Sequence, residues 1–231
     1  MSTETPPSSH QPGAATKLQI LATEHWSLLA TRALTYNESL TRVHIFLAIL
    51  SGAVISLALA AQVDRFGPTF ISIAIPVLLV VLFTGIATIA RLTALNRDDF
   101  RWVIGMNRLR RAYLELHPEL EPHFVASSYD DLPGALQTLG IDVERATAGG
   151  RLGSVFHLPQ TLPGMLTVIV AAVAGAIAAL ASLALALPSP GIGLAAATGF
   201  SLVMVLFGIW GRRSFSQVSP SLQPRFPSPG S

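Results

Sequence analysis

From Leu152 to Gly211 the chain runs for 60 residues without one Asp, Glu, Lys or Arg. No water-facing surface can be built from such a stretch, and the rest of the sequence does not dilute it. Charged residues make up 12% of the 231 positions, against about 25% in an ordinary soluble domain. These features exclude a soluble globular enzyme and a disordered chain, and they predict an integral membrane protein.

Four segments are apolar for the roughly 20 residues that a helix needs to cross the hydrocarbon core. The first is 43–63, between Arg42 and Asp64, and the second is 68–90, between the turn at Gly67-Pro68 and Arg91. The long neutral run divides at Pro188-Ser189-Pro190-Gly191, a breaker cluster foreign to a helix interior, into spans 163–187 and 192–210. The predicted fold class is an all-α membrane protein of four transmembrane helices arranged as two hairpins.

The cations orient it. Of fourteen Arg and one Lys, all but Arg65 fall before the first span, between the second and third, or after the fourth. By the positive-inside rule both termini and the central segment are expected in the cytoplasm, which for a bacterial chain means multi-pass insertion in the inner membrane. The basic balance is thus a topology signal, and nucleic acid is not an expected partner. With no Cys there is no disulfide, thiolate or Cys-type zinc site. Residues 1–16 and 211–231 are polar and rich in Pro and Ser, and both are expected to be disordered tails.

Next to the first hairpin the pattern changes to an amphipathic one. Before the first span (17–42), Leu18, Ala22, Trp26, Leu29, Ala33, Tyr36, Leu40, Val43 and Leu47 follow steps of three and four, as in a coiled-coil seam. After the second span (91–117) the matching series is Leu92, Leu95, Asp99, Trp102, Met106, Leu109, Tyr113 and Leu116, with Asp99 its one polar break. Each part would be about 37 Å long as a helix. The expectation is an antiparallel cytoplasmic stalk continuing the hairpin, with Trp26, Tyr36, Trp102 and Tyr113 in its seam. The alternative, helices lying flat on the bilayer, is disfavoured by Glu24, Glu38, Asp98, Asp99 and Glu115, which would face anionic headgroups.

An inside helix bearing Arg32, Tyr36 and Arg42, a two-span hairpin, and then LNRDDFRWVIGMNRLRRAYLEL resemble two groups of small bacterial membrane proteins. These are the SLATT-type two-span effectors associated with nucleotide-signalling defence systems and the RipA-type octameric membrane proteins. The likeness spans Leu18 to about Leu116 and is architectural. It implies an oligomer and, on the SLATT side, a pore-forming or membrane-perturbing role. The second hairpin is a departure from both groups.

Chemistry-bearing groups are few. No span holds an ionisable residue in its interior, which argues against an ion-coupled transporter and against catalysis within the bilayer. Neither a cofactor nor a metal is expected. Asp98-Asp99 and Asp130-Asp131, with His117 or His123 in reach, have neither EF-hand nor HExxH spacing, so they read as caps and surface. In 118–160, SYDDLPGALQTLG reads as a short helix capped by Ser128 or Asp130, with Leu132, Leu136 and Leu139 inward. Arg108, Arg110 and Arg111 form the densest cationic cluster, a phosphate site or a solvated face paired to Glu115, Glu119 and Glu121. The Ser-Pro and Pro-Pro pairs of the tails are candidate docking or phosphorylation sites.

Two features bear on assembly. Small residues recur every fourth position at Ala48, Gly52 and Ser56, at Ala171, Gly175 and Ala179, and at Ala195 and Gly199. Such stripes permit close helix contact, either inside one bundle or between copies. Thr84 and Thr88, one turn apart beyond Pro76, could line a pore in an oligomer or bond their own backbone. The expectation is a non-enzymatic, self-associating structural or effector-type protein with the lipid bilayer as its first partner, and a small-molecule or ion transporter is the alternative.

Overall fold

The computed structural model describes residues 12–141, 161–216 and 223–229. Among them there are helices and turns but no strand. The helices are α1 (Pro12–Asp64), α2 (Pro68–Leu116), α3 (Leu132–Thr138), α4 (Leu162–Ala184) and α5 (Ser189–Ser216), with a 3-10 turn at Pro118–His123 between α2 and α3. All but α3 are long and apolar enough to cross a membrane. The described residues group into two compact units, one of 12–34, 99–141 and 223–229, the other of 35–98 and 161–216.

Helix boundaries follow local chemistry. Pro68 opens α2 after a turn in which Arg65 and Phe66 take positive φ (39° and 66°), a left-handed conformation uncommon outside Gly and Asn. Thr161 caps α4 by accepting from the Gly164 N–H at 3.2 Å, with Pro163 in the first turn. At the end of α4, Ala186 swings to φ 54° and the Leu187 N–H returns to Ser182 O at 3.1 Å. This left-handed closure satisfies carbonyls that the helix leaves open.

Two boundaries differ from expectation. Pro190 and Gly191, assigned to the breaker, lie in the first turn of α5, where a missing N–H costs nothing. Helix α1 begins at Pro12 and α5 continues to Ser216, so helix extends into both stretches read as disordered tails. The remainder of the first tail, and residues 142–160 of the linker expected over 118–160, lie outside the described residues.

The 35–98 and 161–216 unit has its core around Val43 and Phe46 of α1, Leu78, Val81, Ile89, Leu92 and Leu95 of α2, and Leu166, Val170 and Val173 of α4. A second cluster of Phe70, Ile71 and Ala74 packs with Leu57, Ala60, Ala61 and Leu180. The close approach of α4 is set at Gly85, where an added Cβ would stand 2.5 Å from Val170 Cγ2 and 3.0 Å from Phe46 Cε2.

In the other unit α1 meets α2 through His25 beside Tyr113, rings 6.0 Å apart, Leu28 against Gly105, and Arg32 on Asp99. On α2 Met106 is buried and Trp102, Leu109 and Tyr113 of the expected seam are half-buried, while the other buried positions, Phe100, Val103, Ile104 and Asn107, lie beside that seam. The seam on α1 differs from expectation. Leu21, His25, Leu28 and Arg32 turn inward, while Trp26 and Tyr36, assigned to the seam, are 70% and 61% exposed. The inward face sits about one residue, or 100°, round from the expected one. The reason is Asp99. A carboxylate in the α2 seam needs an opposed cation, and turning Arg32 inward supplies it while carrying Trp26 and Tyr36 outward.

Candidate functional surfaces

The stripes of small residues divide into two kinds. On α4, Ala171 and Gly175 are buried and Ala179 is half-buried, and on α5 Ala195 and Gly199 are half-buried. They face one another. A Cβ on Gly175 would meet Ala196 O at 2.9 Å, and one on Gly199 would meet Ala174 O at 3.0 Å and Ala178 Cβ at 3.1 Å. The stripe on α1 touches nothing comparable. Ala48, Gly52 and Ser56 are exposed, and nothing lies within 4 Å of the Cβ position of Gly52.

Thr84 and Thr88 are half-buried and bond their own helix. The Thr84 hydroxyl donates to Val80 O and Val81 O, both at 3.0 Å, and that of Thr88 to Thr84 O at 2.8 Å. The reading of these threonines as backbone-bonded is what the geometry contains.

Charged side chains form specific pairs. Arg32 donates twice to Asp99, Nε at 2.6 Å and Nη2 at 3.2 Å, a two-point grip. Glu38 accepts from Arg91 Nε at 2.9 Å, Arg91 Nη2 at 3.1 Å and Arg42 Nε at 2.8 Å. The bond from Arg91 first, and that from Arg42 second, hold the Glu38 carboxyl at about 2, far below the usual carboxylate range. His25 is pushed down from its ordinary value by burial and then by Arg110, and its Nδ1 has no hydrogen-bond partner.

The segment around Asp130-Asp131 is more elaborate than surface. Asp131, not Ser128 or Asp130, caps α3, accepting from the Gly134 N–H at 2.9 Å. Gly134 and Ala135 are buried, whereas Leu132, expected inward, is exposed. The cap falls one residue after Asp130, whose carboxylate is taken by Arg108 and by the N–H groups of Arg225 and Phe226. Asn107, fully buried on α2, donates to Tyr129 O at 2.7 Å and accepts from Arg110 Nη1 at 2.7 Å and Thr138 Oγ1 at 2.9 Å. It fastens the segment before α3 and the end of α3 to α2.

Onto this frame comes the C-terminal segment. Arg225 N–H donates to Asp130 Oδ2 at 2.9 Å, Phe226 N–H to Asp130 Oδ1 at 2.7 Å, and Ser228 N–H to Asp131 Oδ2 at 2.6 Å. The Ser228 hydroxyl also donates to Asp131, and Asp130 N–H returns a bond to Phe226 O at 3.1 Å. Arg108 donates to Asp130 at 2.7 Å and to Gln223 O at 3.2 Å, while the Arg111 guanidinium lies 5.8 Å from the Phe226 ring centre. Residues 223–229 are therefore ordered by contact, in correction of the disordered tail expected over 211–231. Sequence reasoning counted their prolines as low complexity and had no way to see their acceptors.

Burial alone would raise both Asp130 and Asp131. The bonds from Arg225 N–H, Arg108 and Phe226 N–H outweigh it at Asp130, those from Ser228 and Gly134 N–H at Asp131, and both carboxyls sit below their ordinary value. The arginine cluster is likewise taken up internally, Arg108 on Asp130, Arg110 on Asn107, and Arg111 3.5 Å from Glu115. Glu119 pairs with His117 instead. Among the described residues no group of three or more His, Asp or Glu is placed to hold a metal. No protein family, characterised protein or solved structure matches the chain.

Proposed function

We propose that the chain is a non-enzymatic, homo-oligomeric integral membrane protein of structural or effector type. On this reading the four apolar helices cross the inner membrane of a bacterium as two hairpins, with both termini and the α2–α4 connection in the cytoplasm. The first hairpin continues into the cytoplasm as an antiparallel helical stalk. Glu38 accepting from both Arg42 and Arg91 supports that arrangement, because it joins the cation that precedes the first span to the one that follows the second.

The observation that carries self-association is the outward side of α1. Thr41, Ala48, Gly52 and Leu59 are all exposed and lie within about 40° of one line along the helix. In the apolar part of the helix the small residues leave a groove that a second backbone can enter. Nearer the amino end, Trp26 and Leu34 (each 70% exposed) would stand in water. Burying each such side chain is worth about 1.5–3 kcal/mol, and a second copy is the partner always present at matching concentration.

Native mass spectrometry of the protein released from detergent tests the proposal. A single species of several copies is expected, and it should dissociate when Gly52 and Ala48 are replaced by Leu. A monomer that persists at every detergent concentration tried would rule the proposal out.

A further inference from the structure

We propose that Asp130 and Asp131, framed by Ser127, Arg108 and Arg111, form a peptide-binding site for a proline-spaced extended segment. Residues 223–229 are its resident and exchangeable ligand.

The match between site and segment is complete at the level of backbone donors. From Pro224 to Pro229 the sequence is Pro-Arg-Phe-Pro-Ser-Pro. Proline has no N–H, so this stretch owns three, at Arg225, Phe226 and Ser228. All three donate to the two neighbouring carboxylates. No donor is left over, and no proline is asked to supply one. A coil that settled against an acidic patch by charge alone would use the Arg225 side chain, yet that residue is exposed and its backbone makes the contact.

The receptor side is built to match. The Asp130 side chain is fully buried and is held by Arg108 from α2, while Ser127 Oγ accepts from Tyr129 N–H at 3.1 Å and shapes the loop that aims it. Asp131 is fixed by the Gly134 N–H. Arg111 offers a cation to the ring of Phe226, an interaction suited to any aromatic side chain at that point. Prolines hold such a ligand near its extended form before it binds, which lowers the ordering cost and favours a short peptide in trans.

Removal of the segment frees acceptors on Asp130 and Asp131 that three backbone N–H groups had filled, and a peptide supplying the same three donors can take them up. The ligand class is a short peptide with N–H groups on two consecutive residues, a proline, and an N–H on the next. The tail of another copy qualifies, as does any partner chain with that spacing.

The test uses a fluorescent peptide of residues 223–231, the full chain in detergent, and a variant ending at Leu222. The variant is expected to bind the peptide saturably and at least tenfold more tightly than the full chain, whose own segment competes. N-methylation of the peptide backbone at Phe226, which removes one donor and keeps the side chain, should weaken binding at least tenfold, as should Asp130→Asn in the truncated chain. Equal binding by the parent and N-methyl peptides overturns the proposal. Should the truncated chain fail to fold, amide exchange in the full chain decides. The amides of Arg225, Phe226 and Ser228 are expected to be protected and to lose that protection with excess free peptide, and protection unchanged at saturating peptide overturns exchangeability.

Discussion

Asp130 and Phe226, 96 positions apart, bond each other in both directions. The Phe226 N–H donates to the Asp130 carboxylate at 2.7 Å and the Asp130 N–H donates to Phe226 O at 3.1 Å. Asp130→Ala removes the acceptor for Arg225 N–H, Phe226 N–H and Arg108 together. Breaking a buried charged contact of this kind costs on the order of 3 kcal/mol. Trypsin is expected to cut the Arg225–Phe226 bond much faster in the variant, with the rest of the digestion pattern kept.

Acid should act on the same contact. Asp130 and Asp131 are held below their ordinary value of 3.8, so the folded state disfavours their protonation. Their contribution is in full force above the unfolded value and is lost as pH falls through the depressed folded values. Protection of the Arg225 and Phe226 amides should therefore hold at pH 5 and decay well below pH 4.

Glu38 gives a second acid window. Its carboxyl is held at about 2 against an ordinary 4.5, so what it adds to stability stands above 4.5 and is lost between 4.5 and about 2. Glu38→Gln should flatten the dependence of the melting temperature on pH in that interval. Because the group is exposed to water, raising the salt concentration should shrink the difference between the two proteins.

The glycines of the long helices separate packing inside the chain from the packing between copies proposed above. Gly175→Val drives a side chain at a backbone carbonyl 2.9 Å from the Cβ position, which cannot move aside as a side-chain tip can. A loss at or above the usual 1–3 kcal/mol of overpacking (roughly) is expected, read as a lower melting temperature. Gly52→Val meets nothing within 4 Å and should leave the melting of the protomer alone. If copies associate along α1 as proposed, its effect should be confined to that association.

Gly85→Ala has a built-in control. The nearest atoms are the side-chain tips of Val170 and Phe46, and shortening one of them restores room. Gly85→Ala alone should destabilise by about 1–2 kcal/mol, and Val170→Ala added to it should recover part of that loss. The double-mutant cycle should show coupling of more than 0.5 kcal/mol, roughly the limit for sites that do not touch.

The four helices long and apolar enough to cross a membrane were legible because they depend on summed hydropathy, which needs no partner to be read. The buried side of α2 was legible in part for a related reason, since Leu92, Leu95 and Met106 carry their burial in their own chemistry. The rotation of α1 was not. It turns on one ion pair, Arg32 with Asp99, linking positions 67 apart, and periodicity within a helix contains no information about its opposite number. Asn107 was passed over because a lone Asn in a helix has many ordinary explanations. It is distinguished only by its three partners. The carboxylates at 130 and 131 read as caps and surface, and one does cap α3. Their second engagement could not be inferred from a segment nearly a hundred residues downstream.

What Asp130 and Asp131 read in that segment is a rhythm of present and absent amides. Side-chain identity at position 225, which faces water, is nearly silent in this reading. Pro227→Ala would instead add an amide for which neither carboxylate has a matching place, and Arg225→Pro would delete one that Asp130 accepts. Descendants of this chain can therefore change the residue at position 225 and keep the meaning of the segment, provided the prolines keep their intervals. Comparison by residue identity would score such a change as a mismatch. Comparison by the spacing of the prolines would recognise the same word.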